Sequence, residues 1–139
     1  MRISRQQART WFTEARVARL ASVDEHGRPH LVPIVFAVRG DVIVTAVDHK
    51  PKRTPNLKRL RNIRANPQVA LLVDHYEDDW SRLWWARADG EAELAECESR
   101  PELLAALTEK YSQYREIPPT GTLIVVRVSG WSGWSATQR

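Results

Sequence analysis

The spacing of apolar positions changes several times along the chain, and each change marks an element. From Ala8 onward they recur at i, i+3, i+4 and i+7 (Ala8, Trp11, Phe12, Ala15), one face of a helix. Ser4-Arg-Gln-Gln7, just ahead, has the form of a capping box, so the helix opens there and is expected to pack over a sheet. Strands follow over residues 17–23 and 31–38, joined by Asp24-Glu-His-Gly-Arg28, with Gly27 at the turn. The second is apolar on both faces: Leu31, Val35 and Ala37 on one, Val32, Ile34, Phe36 and Val38 on the other. Such a strand is expected to be covered on both sides, by a closed barrel interior and by a helix or partner. Pro33 cannot donate to a ladder, which places an edge or bulge there.

Arg39-Gly-Asp41 turns into a strand over 42–47. A short helix over 57–65 ends at Asn66-Pro67, and a strand over 68–74 leads to an acidic loop over 75–80. Residues 81–95 read as one long strand, bent or bulged near Gly90. Ser99-Arg-Pro-Glu102 has the form of a second capping box, opening an amphipathic helix through Leu103, Leu104, Leu107, Tyr111 and Tyr114. Pro118-Pro119 stops it, a strand over 123–128 follows, and an aromatic tail, Gly130-Trp-Ser-Gly-Trp134, comes after. About six strands with three inserted helices predict one mainly β or α+β domain over 1–139, a small antiparallel barrel.

Composition adds limits. No apolar run approaches the roughly 18 residues of a membrane helix. The opening MRISRQQART has no signal-peptide core, and the single Cys97 excludes an intramolecular disulfide. Both fit a reducing cytoplasm, the expected location. Cys97 lies among Glu93, Glu96 and Glu98, which disfavour a reactive thiolate. His26 and His30 flank Gly27 and Pro29, so no helix presents both, and no metal site is expected. Neither a Rossmann fingerprint nor a P-loop is present.

Charge is where the chain departs from the ordinary. Net charge is +4, yet seven bases fall within 50–64: Lys50, Lys52, Arg53, Lys58, Arg59, Arg61 and Arg64. Without them, 14 bases face 17 acids. No acid interrupts the stretch between Asp48 and Pro67, so it attracts an anion. It is short, lacks interleaved aromatics and has no nucleic-acid-binding motif, so a phosphorylated small molecule suits it better than nucleic acid. Six Trp, three of them at 80, 84 and 85, exceed what one small barrel buries and predict a homodimer.

An ordered set of short motifs resembles the pyridoxamine 5′-phosphate oxidase-like split-barrel family, and within it the branch that uses the deazaflavin coenzyme F420. The set runs through Val17-Ala-Arg-Leu-Ala-Ser22, Gly27-Arg-Pro-His30, Val32-Pro33-Ile34 and Asp48-His-Lys50-Pro-Lys52. It continues through Leu60-Arg-Asn62-Ile63, Asn66-Pro67, Trp84-Trp85-Ala-Arg87, Asp89-Gly90, Trp131 and Trp134. The resemblance implies a six-stranded split barrel, homodimeric, with the cofactor at the dimer interface. It implies that Lys58 and Arg59 hold the cofactor phosphate and that Thr45, Ala46 and Val47 run beside the ring. Pro33, Ile34, Trp85 and Arg87 are further cofactor-site candidates, with Trp85 standing where the pyridoxal-forming oxidases have Gln. Lys50, Lys52 and Arg53 suit the longer anionic tail of F420. The implied activity is an F420H2-dependent reductase acting on a small organic molecule. The alternatives are an FMN-dependent oxidoreductase or a non-catalytic carrier of F420 or flavin. No general acid stands out; His49, His75 or a water are the candidates, and the acceptor is open.

Overall fold

The structure is a computed structural model that describes residues 1–47 and 57–137. Helix α1 (Arg5–Glu14) begins as its sequence requires: the Ser4 hydroxyl accepts from the Gln7 N–H at 3.0 Å. Its stripe buries Ala8 and Phe12 completely. Strands β1 (Ala18–Val23) and β2 (Pro29–Ile34) form the first hairpin. In its turn the Asp24 carboxylate accepts from the N–H groups of His26 and Arg28 at 2.8 and 2.9 Å, and Gly27 takes φ +80.

The expected strand over 31–38 is two strands. β2 stops at Ile34, and β3 (Ala37–Arg39) starts after Val35 and Phe36. Backbone groups at the break are taken by distant side chains. The Thr45 hydroxyl donates to Val35 O at 2.7 Å. The Tyr111 hydroxyl accepts from Phe36 N at 3.1 Å and shares its proton between the carbonyl oxygens of Phe36 (2.9 Å) and Arg16 (2.8 Å). With its polar groups satisfied this way, the chain can leave one ladder and join another.

The remaining elements are β4 (Val42–Ala46), α2 (Lys58–Ala65), β5 (Gln68–His75), β6 (Trp84–Glu96), α3 (Pro101–Lys110), α4 (Ser112–Glu116) and β7 (Thr122–Ser135). Seven strands, rather than six, form one antiparallel sheet in the order β2-β1-β5-β6-β7-β4-β3. Its two edge strands are consecutive in sequence. The step from Ile34 to Ala37 can span about 11 Å at most. The sheet must therefore curl until its edges face each other, a barrel closed at one seam by chain rather than by a ladder. That seam is the split.

Two cores result. Phe12, Leu20, Phe36, Ile43, Leu71 and Ile124 fill the barrel. Val44, Leu103, Leu107, Leu123 and Val125 pack outside it under α3. Coverage on both faces thus belongs to β4 and β7, while Leu31 on β2 stands 66% exposed. Three further expectations change. The second capping box does not form: Arg100 is the N-cap, and Ser99 Oγ donates to Glu96 O at 2.8 Å. The helix it was to open is two helices, broken at Tyr111. The aromatic tail is the second half of β7, where it pairs with β6. The bend at Gly90 is present as a register shift between Asp89 and Gly90. Among the described residues no helix is long and apolar enough to cross a membrane.

Lys110 staples α3 to the end of α1. Its ammonium donates to Thr13 O (3.2 Å) and Ala15 O (2.7 Å) and lies 3.9 Å from the centre of the Phe36 ring. Burial, with the Arg16 charge adding to it, lowers its pKa from 10.5 to about 8. Between those values the unfolded chain binds more protons than the folded one, so this group makes stability rise with pH across that window. Replacement of Lys110 by Met should remove the rise. Denaturant midpoints of both proteins at about pH 7.5 and about pH 10 check it. The expected outcome is a stability difference that moves toward the wild type at the higher pH; a pH-independent difference contradicts the assignment.

Candidate functional site

The split brings the end of β2 against the end of β4. A cleft of about 330 Å³ opens there, and Pro33, Ile34, Val35, Thr45, Ala46 and Arg59 line it. Thr45 is buried, with its hydroxyl spent on Val35 O, so at that position the chain offers a ligand its backbone rather than its side chain. Val17 adds an apolar wall and Tyr114 an aromatic one. A flat ring with an anionic tail suits such a site: apolar walls, a strand backbone alongside, and a guanidinium among the lining groups.

Arg59 is placed by α2. Leu60 and Ile63 are buried in the barrel core, and Asn62 Nδ2 donates to the buried Ser22 hydroxyl at 3.2 Å, which locks the helix to β1. Leu57 is the N-cap, and no side chain caps the helix. The neighbouring Lys58 is placed differently. Its ammonium lies 3.4 Å from the Asp24 carboxylate in the β1–β2 turn. The N–H of Arg28, then that of His26 and the Lys58 ammonium, hold the Asp24 carboxyl below the usual range. The basic stretch carries no acid of its own, but the fold supplies one. The expected pair therefore divides: Arg59 lines the cleft, whereas Lys58 is an ion-pair partner of Asp24.

Residues 4–135 match the pyridoxamine 5′-phosphate oxidase family. The chain belongs to this family. A curated relative, a 5a,11a-dehydrotetracycline/5a,11a-dehydrooxytetracycline reductase of Streptomyces rimosus, is 35% identical over 68 residues, 47% of this chain and 44% of the reductase. The match thus spans less than half of that relative's length. Among solved structures, an FAD-binding protein of Mesorhizobium loti superposes with a TM-score of 0.72 at 20% identity, covering 96% of this chain and 95% of that one. A haem storage protein of Vibrio cholerae superposes with a TM-score of 0.69 at 18% identity, covering 91% of each chain. At these identities the structural likeness shows the fold alone.

The remaining candidates of this family member lie apart from the cleft or beyond the described residues. Val47 is half-buried against the barrel core, and its N–H donates to Thr122 O at 3.0 Å, at the end of β4 next to Ala46. Trp85 and Arg87 sit on the outer face of β6. The Arg87 guanidinium lies 5.8 Å from the Trp85 ring centre and 3.1 Å from the Asp89 carboxylate. Lys50, Lys52, Arg53 and His49 lie outside the described residues. His75 closes β5, away from this cleft, with Nε2 on the Glu77 carboxylate. Among the described residues no cluster of three or more metal-ligating side chains exists. Burial and the neighbouring Glu96 and Glu98 charges raise the Cys97 pKa, against a reactive thiolate. Sequence reasoning missed Val17, Val35 and Tyr114 as lining residues. Nothing in apolar spacing marks them, because they reach the cleft only through the split.

Proposed function

We propose that the chain is a reductase that uses coenzyme F420, held in the cleft at the split, to reduce a small organic acceptor. One observation carries the reading. Five residues expected at the cofactor from sequence, Pro33, Ile34, Thr45, Ala46 and Arg59, line a single cleft. The match to a reductase supports redox chemistry. When bound, the deazaflavin supplies the hydride. The chain's residues position it: the end of β4 runs beside the ring, Arg59 engages an anionic group, and the apolar walls exclude water. The bases Lys50, Lys52 and Arg53 would extend the positive field along the tail.

A second reading, FMN in the same cleft, is favoured by a separate observation. Among the described residues Arg59 is the only cation lining the cleft, which suits one phosphate. Titration of the cofactor-free protein with F420 and FMN at increasing salt separates the two. F420 should bind more tightly and lose more affinity with salt. Equal affinities without salt dependence would overturn the F420 assignment. Binding without turnover of F420H2 would make the protein a carrier.

We also propose a homodimer working in the cytoplasm. The register places Leu31, Ala21, Ala70, Leu72, Trp85 and Trp134 on one outer face of β2, β1, β5, β6 and β7. Leu31 and Leu72 are exposed there. Arg19, Asp74 and Arg87 share this face with them. Exposed leucines and half-buried tryptophans among such charges have the make-up of an interface rather than of a solvated face. In a dimer it would carry Trp85 and Arg87 toward the partner's cofactor cleft. Light scattering at micromolar concentration should give twice the chain mass, and Leu72→Asp should give a monomer. A monomeric wild type contradicts the proposal.

A further inference from the structure

A second cleft, of about 520 Å³, adjoins the first, and Val17 lines both. Its origin is a mismatch of strand lengths. β1 pairs with β5 only through Arg19↔Leu72, Leu20↔Leu71 and Ala21↔Ala70. β5 continues to His75 with β6 as its partner, so its last residues lose β1 as a neighbour. The chain leaving α1 skirts the gap and leaves a hollow.

The lining is chemically specific. Trp11 and Trp84 form an aromatic wall, with ring centres 4.9 Å apart and planes at 55°. Arg19 and Asp74 reach the cleft from the outer face of the sheet, beside Leu72 and Trp85 on the face proposed for the dimer, and neither has an ion pair or side-chain hydrogen bond among the described residues. Arg16 also lines it but is engaged, donating to Lys110 O at 3.0 Å and stacking on the Tyr111 ring at 4.7 Å. Glu14 is the other charged lining group. His75 is oriented from behind: Nε2 bonds the Glu77 carboxylate, which Arg82 also holds at 3.0 Å. Those two hydrogen bonds, that of His75 first, keep Glu77 below the usual carboxylate range. A carboxylate fixed in this way fixes the imidazole ring, leaving Nδ1 as its second hydrogen-bonding position.

We propose that this cleft binds a flat, conjugated molecule bearing carbonyl and hydroxyl oxygens, with Arg19 and His75 as its polar contacts. Its role as the place of the hydride acceptor rests on the reductase reading; the binding does not. Indole walls favour a flat ring system, and a guanidinium and an imidazole suit oxygens on its rim. Asp74 adds an acceptor for a hydroxyl.

The test uses the cofactor-free full chain and 2-hydroxy-1,4-naphthoquinone as probe, read by quenching of tryptophan fluorescence. Saturable quenching is expected. His75→Gln and Arg19→Gln should each weaken it about tenfold to a hundredfold. Both residues are exposed, and melting curves verify that the variants fold. Arg59→Gln, at the other cleft, should weaken F420 and FMN binding and leave the probe's affinity unchanged. No saturable quenching overturns the proposal. So does quenching weakened as much in Arg59→Gln as in the other two variants, or quenching unchanged in both His75→Gln and Arg19→Gln. If the probe binds as expected while neither F420 nor FMN binds, the cleft stands and the reductase reading falls.

Discussion

Gly90→Val is expected to yield no soluble folded protein, and Gly90→Ala to lower the melting temperature by roughly 10 °C or more. A Cβ at Gly90 would lie 2.3 Å from Arg127 O, and 3.0 Å from both Arg127 C and Val126 Cγ1. The obstacle is backbone, so no rotamer change relieves it. Arg127 cannot retreat without disturbing the β6–β7 ladder, whose register already shifts here. Asp89 pairs with Gly130 and Gly90 with Val128, leaving Ser129 as the extra residue. The Ser129 hydroxyl donates to Asp89 O at 3.1 Å and pins the bulge. Overpacking against movable side chains costs about 1–3 kcal/mol. Against a ladder carbonyl the cost belongs at the top of that range or above it, a large part of a domain's roughly 5–15 kcal/mol. Gly130→Ala is the internal control, because a Cβ there meets nothing within 4 Å. Melts followed by circular dichroism compare the two. A Gly90→Ala protein that melts with the Gly130→Ala protein would show that the ladder yields easily, against this account.

Arg59→Gln is expected to weaken cofactor binding about tenfold to a hundredfold, the worth of one charge-assisted contact. Lys58→Gln should weaken it much less, although the two bases are adjacent and of like charge. The difference follows from geometry: Arg59 lines the cleft, while Lys58 is committed to Asp24. Lys58→Gln should instead lower the melting point of the cofactor-free protein, because the Asp24 side chain is only 10% exposed and loses its ion-pair partner. Fluorescence titration with F420 and with FMN, beside thermal melts, reads both effects. Equal losses of affinity in the two variants would mean that Lys58 abandons Asp24 for the ligand. Wild-type binding by Arg59→Gln would remove the main support for the cleft as the cofactor site.

How much of this was legible in the sequence depends on the range of the interaction concerned. The α1 stripe and its Ser4 cap, the turn at Gly27 and the stop at Asn66-Pro67 are all set by neighbours a few residues away, and the bend at Gly90 shows in the sequence as a lone glycine within a strand pattern, although β7 decides its geometry. Each is present as read. Five of the cofactor candidates could be named from motifs and do meet at one cleft.

Contacts across the barrel decided what the sequence left open. Residues 31–38 read as one strand because their side chains are uniformly apolar. The chain divides there because hydroxyls from Thr45 and Tyr111, 10 and 75 residues away, satisfy the backbone of Val35 and Phe36. Lys58 and Arg59 look equivalent in a run of bases. They part because the β1–β2 turn carries Asp24 to one of them. The tail around Trp131 resembles a loop of glycines and serines. It continues as strand because β6 is long enough to pair with it, and because the Trp131 indole N–H finds the Asp41 carboxylate 3.1 Å away. Helix starts and turns are decided within a few residues, so local order in the sequence determines them. A strand's end, a charge's partner and a cleft's lining depend on which distant groups the closed barrel brings within reach, and only the folded chain determines those.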